Sequence, residues 1–236
     1  MDLPENLIAK KELRNRSMVF RDRFAGGDVL ADMLGSDYAG LQEGLILAIP
    51  AGGVPVGLRL QQGLGLPLDL IVIRKIQIPG NTEAGFGALS QTGETLLNQE
   101  LINRLGLSRD EIVTQTEKTR QELERKDKLF RQGRPFPELK GKKVILTDDG
   151  LASGFSMLAA VRMVKGQSPQ EVVVAVPTAP LGSVLRLSPE VDRIYSAHIQ
   201  VSGSFAVANA YQLWNDLSEA EVQAMLQDQP GPGKLA

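Results

Sequence analysis

Short, almost unbroken apolar runs alternate with helix-forming stretches along most of this chain, and that alternation limits its fold more than any other feature. Residues 45–49 ("LILAI") and 68–73 ("LDLIVI") are two such runs, with a glycine turn and a helix between them. Residues 144–147 ("VILT"), the stretch "EVVVAVPTAP" and the stretch "VDRIYSAH" supply three more. Strands that are apolar on both faces belong to parallel sheets covered by helices on either side. The predicted fold is therefore α/β: a central, mostly parallel, five-stranded sheet flanked by helices. Ligands in such sheets bind beyond the carboxyl ends of the strands.

The remaining segments fill in this frame. Residues 28–34 read as a short helix closed by Gly35. Residues 77–85 read as a mobile loop, and "GALSQTGETLL" as a hairpin around Gln91, Thr92 and Gly93. Ser108 with Glu111 three residues on is a capping box that opens a long charged helix, and Ser218 with Glu221 opens a last short one. No repeat or interdomain linker interrupts the pattern. Residues 1–236 are predicted to form a single domain.

Composition removes several classes of function. There is no cysteine, so disulfides and thiolate zinc sites are excluded, and a cytoplasmic location is expected. A single histidine, His198, argues against a Ser-His-Asp triad or a multi-histidine metal centre. A net charge of −2 gives no basic field for nucleic acid. No apolar run reaches the roughly 18 residues of a membrane span, and the first residues lack the apolar core of a secretory signal.

The chemistry concentrates in "VILTDDGLASGFSM". Asp148 and Asp149 stand together where an apolar strand ends, a costly place for carboxylates unless they meet a ligand. They can accept hydrogen bonds from a polyol or hold a cation. The residues that follow, Gly150, Leu151, Ala152, Ser153, Gly154, Phe155 and Ser156, lead into a helix. Backbone N–H groups and the helix dipole make an anion site there, and the serines add hydroxyls. A sugar carrying a phosphate fits both halves.

This stretch resembles the phosphoribosyl pyrophosphate (PRPP) motif of type I phosphoribosyltransferases. "MVFRDRFAGGDVLADML", "PAGGVPVG", "IRKIQIPGNTEAGFGA" and "FAVANAYQLWNDLSEAEV" extend the likeness over nearly the whole chain, toward a stand-alone group of that family. The resemblance implies a core of about residues 24–200, a small hood from residues 1–23 and 198–228, and a flexible loop or hairpin. It implies Mg²⁺-dependent transfer of ribose 5-phosphate from PRPP to a purine, pyrimidine or related base, with release of pyrophosphate. The alternative is a non-catalytic PRPP- or nucleotide-binding regulator on the same fold. A homodimer is also implied.

Carried onto this chain, Asp148 and Asp149 take the ribose and Mg²⁺, directly or through PRPP, and residues 150–156 wrap the 5-phosphate. Ala51, Gly52 and Gly53, with Arg74 and Lys75, take the pyrophosphate, and a cis peptide is expected at Ala51–Gly52. Relatives often have arginine where this chain has Ala51, and some carry an aspartate base where it has Ala152, so a base must come from elsewhere. Glu83 is the candidate. Phe205 and Val207 are the candidates for contacting the acceptor base; Tyr211 and Trp214 are further aromatics in the same tail.

Overall fold

Adjacent residues on a strand point to opposite faces, and here both faces are apolar, so each strand needs helices on both sides. The structure, a computed structural model, describes residues 3–227, except for the side chains of Thr82 and Glu83. Its elements in chain order begin with β1 (Leu7–Ile8), α1 (Arg23–Tyr38), β2 (Gly44–Ala48), α2 (Gly53–Leu64) and β3 (Leu68–Leu70). There follow β4 (Ile73–Ile78), β5 (Asn81–Ser90), β6 (Thr95–Leu97), α3 (Gln99–Leu105) and α4 (Arg109–Arg131). The last are β7 (Lys143–Thr147), α5 (Phe155–Lys165), β8 (Glu171–Pro180), α6 (Leu181–Leu187), β9 (Arg193–Gln200) and α7 (Glu219–Gln227).

The main sheet runs β1-β9-β8-β7-β2-β3, and all its pairings are parallel. The five expected strands are present, and the two-residue β1 adds a sixth at the edge. Leu47, Leu146 and Val174 face one way, against Met157, Val161 and Val164 of α5. Their neighbours Ile46, Ile145 and Val173 face the other way, against Leu30 and Leu34 of α1 and Val56 and Leu60 of α2. Both layers are fully closed to solvent at the strand centres. Each large aliphatic side chain buried there contributes about 1.5–3 kcal/mol.

Three expectations change. The run 68–73 is not one strand. β3 ends at Leu70, and β4 begins at Ile73 in a separate antiparallel sheet, β4-β5-β6. Residues 77–85 are not a loop but a hairpin that joins β4 to β5 through Pro79 and Gly80, with irregular register beside Gln77. The first helix is longer than residues 28–34: Asp22 caps it by accepting from the Ala25 amide at 2.8 Å, and it runs to Tyr38. The hairpin about residues 91–93 and both capping boxes are as expected.

The small sheet covers its own apolar cluster, Ile76, Phe86 and Leu89 against Ile102 and Leu123. A buried arginine, Arg131, ties the end of α4 to Asp69 on β3. Among the described residues no helix is long and apolar enough to cross a membrane.

Candidate active site

The carboxyl ends of β2 and β7 lie side by side, with Ala48 opposite Thr147. The turns that leave these two strands therefore meet. They line a cavity of about 410 Å³ together with the tail. From the β7 side come Asp148, Asp149, Gly150, Leu151, Ala152, Ser153, Gly154 and Ser156, and from the β2 side Ala51 and Gly52. Val207, Trp214, Asp216 and Leu217 close it from the tail, and Arg23 from the start of α1.

Packing fixes the first turn against the second. A side chain on Gly52 would place its Cβ 2.0 Å from Asp149 Oδ2, so only glycine lets this backbone reach the carboxylate. Gly53 donates to the Ile49 carbonyl at 3.0 Å, which closes the turn into α2. The cis peptide lies at Pro50–Ala51, one bond earlier than Ala51–Gly52.

The second turn is pinned at two points and open between them. Leu151 donates its amide to the Thr178 carbonyl at 3.0 Å, and Ser183 Oγ donates to the Ala152 carbonyl at 2.6 Å. Gly154 takes φ +78, which reverses the chain into α5 without a side-chain cap. Among the described residues, the amides from Ala152 to Met157 donate to no protein group. These are the orphan donors of a helix start, and all of their residues except Phe155 line the cavity.

The electrostatics of the acid pair are unusual. Burial, followed by the charge of Asp149, pushes the Asp148 carboxyl well above the usual carboxylate range. Burial also raises Asp149, against the opposing hydrogen bond and charge of Arg23. Arg23 Nε donates to Asp149 Oδ2 at 2.8 Å. Its guanidinium lies 3.8 Å from the centroid of the Trp214 ring, and Nη1 donates to the Asn215 carbonyl at 2.9 Å. Tyr211 adds a hydroxyl donated to the backbone carbonyl of Asp149. The segment before α1 and the tail are themselves joined, through Met18 to Asn209 and Gln212 to Phe20 backbone bonds.

Several candidate residues fall elsewhere. Arg74 does not line this cavity; its guanidinium pairs with Glu122 of α4 at 3.0 Å. The strand that carries it has left the main sheet, so it no longer ends at the shared crevice. Lys75 and Phe155 line a second cavity of about 780 Å³ between the small sheet and α5, which shares Ala152, Ser153 and Ser156 with the first. Val207 lines the first cavity, whereas Phe205 is half-buried and does not. The side chain of Glu83 lies outside the described residues.

His198 is structural in its setting. Its Nδ1 meets Thr178 Oγ1 at 2.7 Å inside the sheet, and burial lowers its imidazole below the ordinary value, leaving it neutral near pH 7. Sequence reasoning missed Arg23, Asp216 and Leu217. For Arg23 one signal existed. A cation at the first position of a helix opposes the helix dipole, so it asks for a compensating anion elsewhere.

Comparison with known proteins identifies a family over most of the chain. A family described as "Phosphoribosyl transferase domain" matches residues 25–202. Two curated proteins from strains of Mycobacterium tuberculosis, each named "Putative phosphoribosyl transferase", are 32% identical over 208 residues. The match covers 88% of this chain and 46% of theirs, so the chain spans about half the length of those relatives. The crystal structure of TT1426 from Thermus thermophilus superposes with a TM-score of 0.73 at 32% identity, over 89% of this chain and 98% of that one.

Proposed function

The chain belongs to the phosphoribosyl transferase domain family, and from that premise we propose that it moves a 5-phosphoribosyl group from PRPP to a nitrogenous base, releasing pyrophosphate. One observation carries the reading. A single cavity joins two strand-end carboxylates to a helix start whose amides are unspent. The carboxylates suit ribose hydroxyls, and the amides with Ser153 and Ser156 suit the 5-phosphate. Gly52 lies against Asp149, and the amides of Ala51 and Gly52, which donate to none of the described residues, suit pyrophosphate, whereas the Gly53 amide is spent on the Ile49 carbonyl.

Mg²⁺ fits this donor set. It prefers hard oxygen ligands and commonly binds through one or two carboxylates plus substrate phosphates. Asp148 and Asp149 are such carboxylates, and among the described residues no cluster of three or more metal-ligating side chains forms a cage of its own. Bound there, Mg²⁺ would supply charge neutralisation for pyrophosphate. The protein's own part is to hold the sugar. A bond forms from the acceptor nitrogen to C1, and the C1–oxygen bond breaks with its electrons leaving on pyrophosphate. The positive character at C1 develops beside Asp148 and Asp149. Val207, Trp214, Asp216 and Leu217 line the cavity from the tail, and on this reading they would contact the acceptor.

A second reading, a PRPP-binding regulator without turnover, draws support from Arg74, whose pairing with Glu122 keeps one expected cation away from the cavity. Labelled PRPP incubated with Mg²⁺ and a panel of purines, pyrimidines and related bases separates the two. Pyrophosphate release that requires one acceptor supports transfer, and binding without turnover supports the regulator. Asp149→Asn should weaken PRPP binding about 10- to 100-fold in titration calorimetry, the scale of a hydrogen bond to a charged group. Unchanged affinity would sink both readings of the site.

A further inference from the structure

Arg23 is a buried cation with part of its hydrogen-bonding capacity unused. Its side chain is 8% exposed. A guanidinium carries five N–H donors in a planar fork. Here Nε is spent on Asp149 and Nη1 on the Asn215 carbonyl, and Nη2 donates to none of the described residues. The residue lines the cavity. Stacking on Trp214, with the ring centroid 3.8 Å away, holds the plane of the guanidinium in place, so its free edge is preorganised.

The charge balance of the cavity points the same way. Asp148, Asp149 and Asp216 are its acids, and Arg23 is the one Lys or Arg among the described residues that line it. A ligand with several negative charges entering here meets a single fixed side-chain cation. The position of Arg23 also selects which part of the ligand it meets. The oxygen it grips, Asp149 Oδ2, is the atom against which the Gly52 backbone is pressed. Arg23 therefore stands beside the turn at Gly52, and it makes no hydrogen bond to the loop of residues 150–156 among the described residues.

Resting on the phosphoribosyl-transfer reading, we propose that Arg23 is a ligand-contacting residue: its unspent Nη donors bind the pyrophosphate oxygens of PRPP while Nε stays on Asp149. Its fork would supply, from the start of α1, positive charge that neither Ala51 nor the diverted Arg74 brings to this turn.

The test is titration calorimetry of inorganic pyrophosphate, PRPP and ribose 5-phosphate, each with Mg²⁺, on the wild-type protein, Arg23→Gln and Arg23→Lys. Arg23→Gln should weaken pyrophosphate and PRPP by about tenfold or more, and ribose 5-phosphate by less than about threefold, since only the first two lose a charge-assisted bond. Arg23→Lys keeps the charge without the fork and should recover part of the loss. Equal losses for all three ligands, or no loss for any, would overturn the proposal, because Arg23 would then act only through Asp149 or not at all. If the Gln variant does not fold, the Lys variant decides by the same comparison between pyrophosphate and ribose 5-phosphate. Wild-type protein that binds none of the three defeats the phosphoribosyl reading itself, a result distinct from any difference between variants, and this proposal falls with it.

Discussion

Two buried arginines each hold an aspartate in this molecule, and they spend their donors differently. Arg131, 2% exposed at the side chain, gives Nε and Nη2 to the two oxygens of Asp69 at 3.1 Å each. Nη2 also reaches the Pro135 carbonyl at 2.9 Å, and Nη1 leans on Asp127 at 3.5 Å. Arg23 makes one bond to its aspartate and one to a carbonyl, then turns its remaining donors to a cavity. A fork satisfied within the fold stabilises the fold. A fork left partly open beside a raised carboxylate pair is set for something that arrives later.

The largest expected effect tests the satisfied member. Arg131→Ala strips Asp69 of its cation and should lower the unfolding free energy by about 3–5 kcal/mol, the usual cost of breaking a buried pair. Urea denaturation reads this, and the folded fraction should bind PRPP as before. A loss of ligand affinity in that fraction would erase the division between the two arginines.

The next effect has the opposite sign. Burial and Asp149 hold the Asp148 carboxyl well above the usual range, so the folded chain keeps that proton more tightly than the unfolded one. The stability this proton confers is complete below the unfolded value of 3.8 and is lost as pH rises toward the folded value. Asp148→Asn escapes that loss. It should gain about 1 kcal/mol near pH 7.5, a scale common for single stabilising changes, and almost nothing at pH 4. Melting temperatures across that range check it, and an equal or lower value at pH 7.5 would contradict a strained site.

The smallest effect concerns a third arginine, which is not buried. Arg74 and Glu122 are 35% and 56% exposed, so Glu122→Gln should change stability by less than about 0.5 kcal/mol. Inorganic pyrophosphate affinity should stay within about twofold, as for other exposed pairs. A clear rise would mean that Arg74, once released, joins Arg23 at the ligand.

Local signals explain what was readable in the sequence. Four of the five apolar runs, both capping boxes and the acid-rich turn each lie within a few residues, and each formed where its pattern predicted. β1 was not readable, because two residues carry no period and its place is set by pairing with β9. The run 68–73 misled because its apolar character continues past Leu70, where the chain leaves one sheet for another. That misreading also carried Arg74 into the wrong neighbourhood. At the site, the acid pair and the glycine- and serine-containing turn, proposed to take sugar and phosphate, were legible as one contiguous motif. Arg23 and Trp214 stand near opposite ends of the chain and meet only through the pairing of the tail with the segment before α1.

The cavity has two kinds of wall. One is built from turns locked between buried parallel strands, where Gly52 admits no side chain at all. The other is the tail, where Trp214 and Asp216 lie on irregular chain outside the sheet. Mutational drift is tolerated very differently by such surfaces. On the proposed reaction, the donor side is therefore the frozen wall of the cavity, and the tail is the wall on which a new acceptor preference could evolve without refounding the fold.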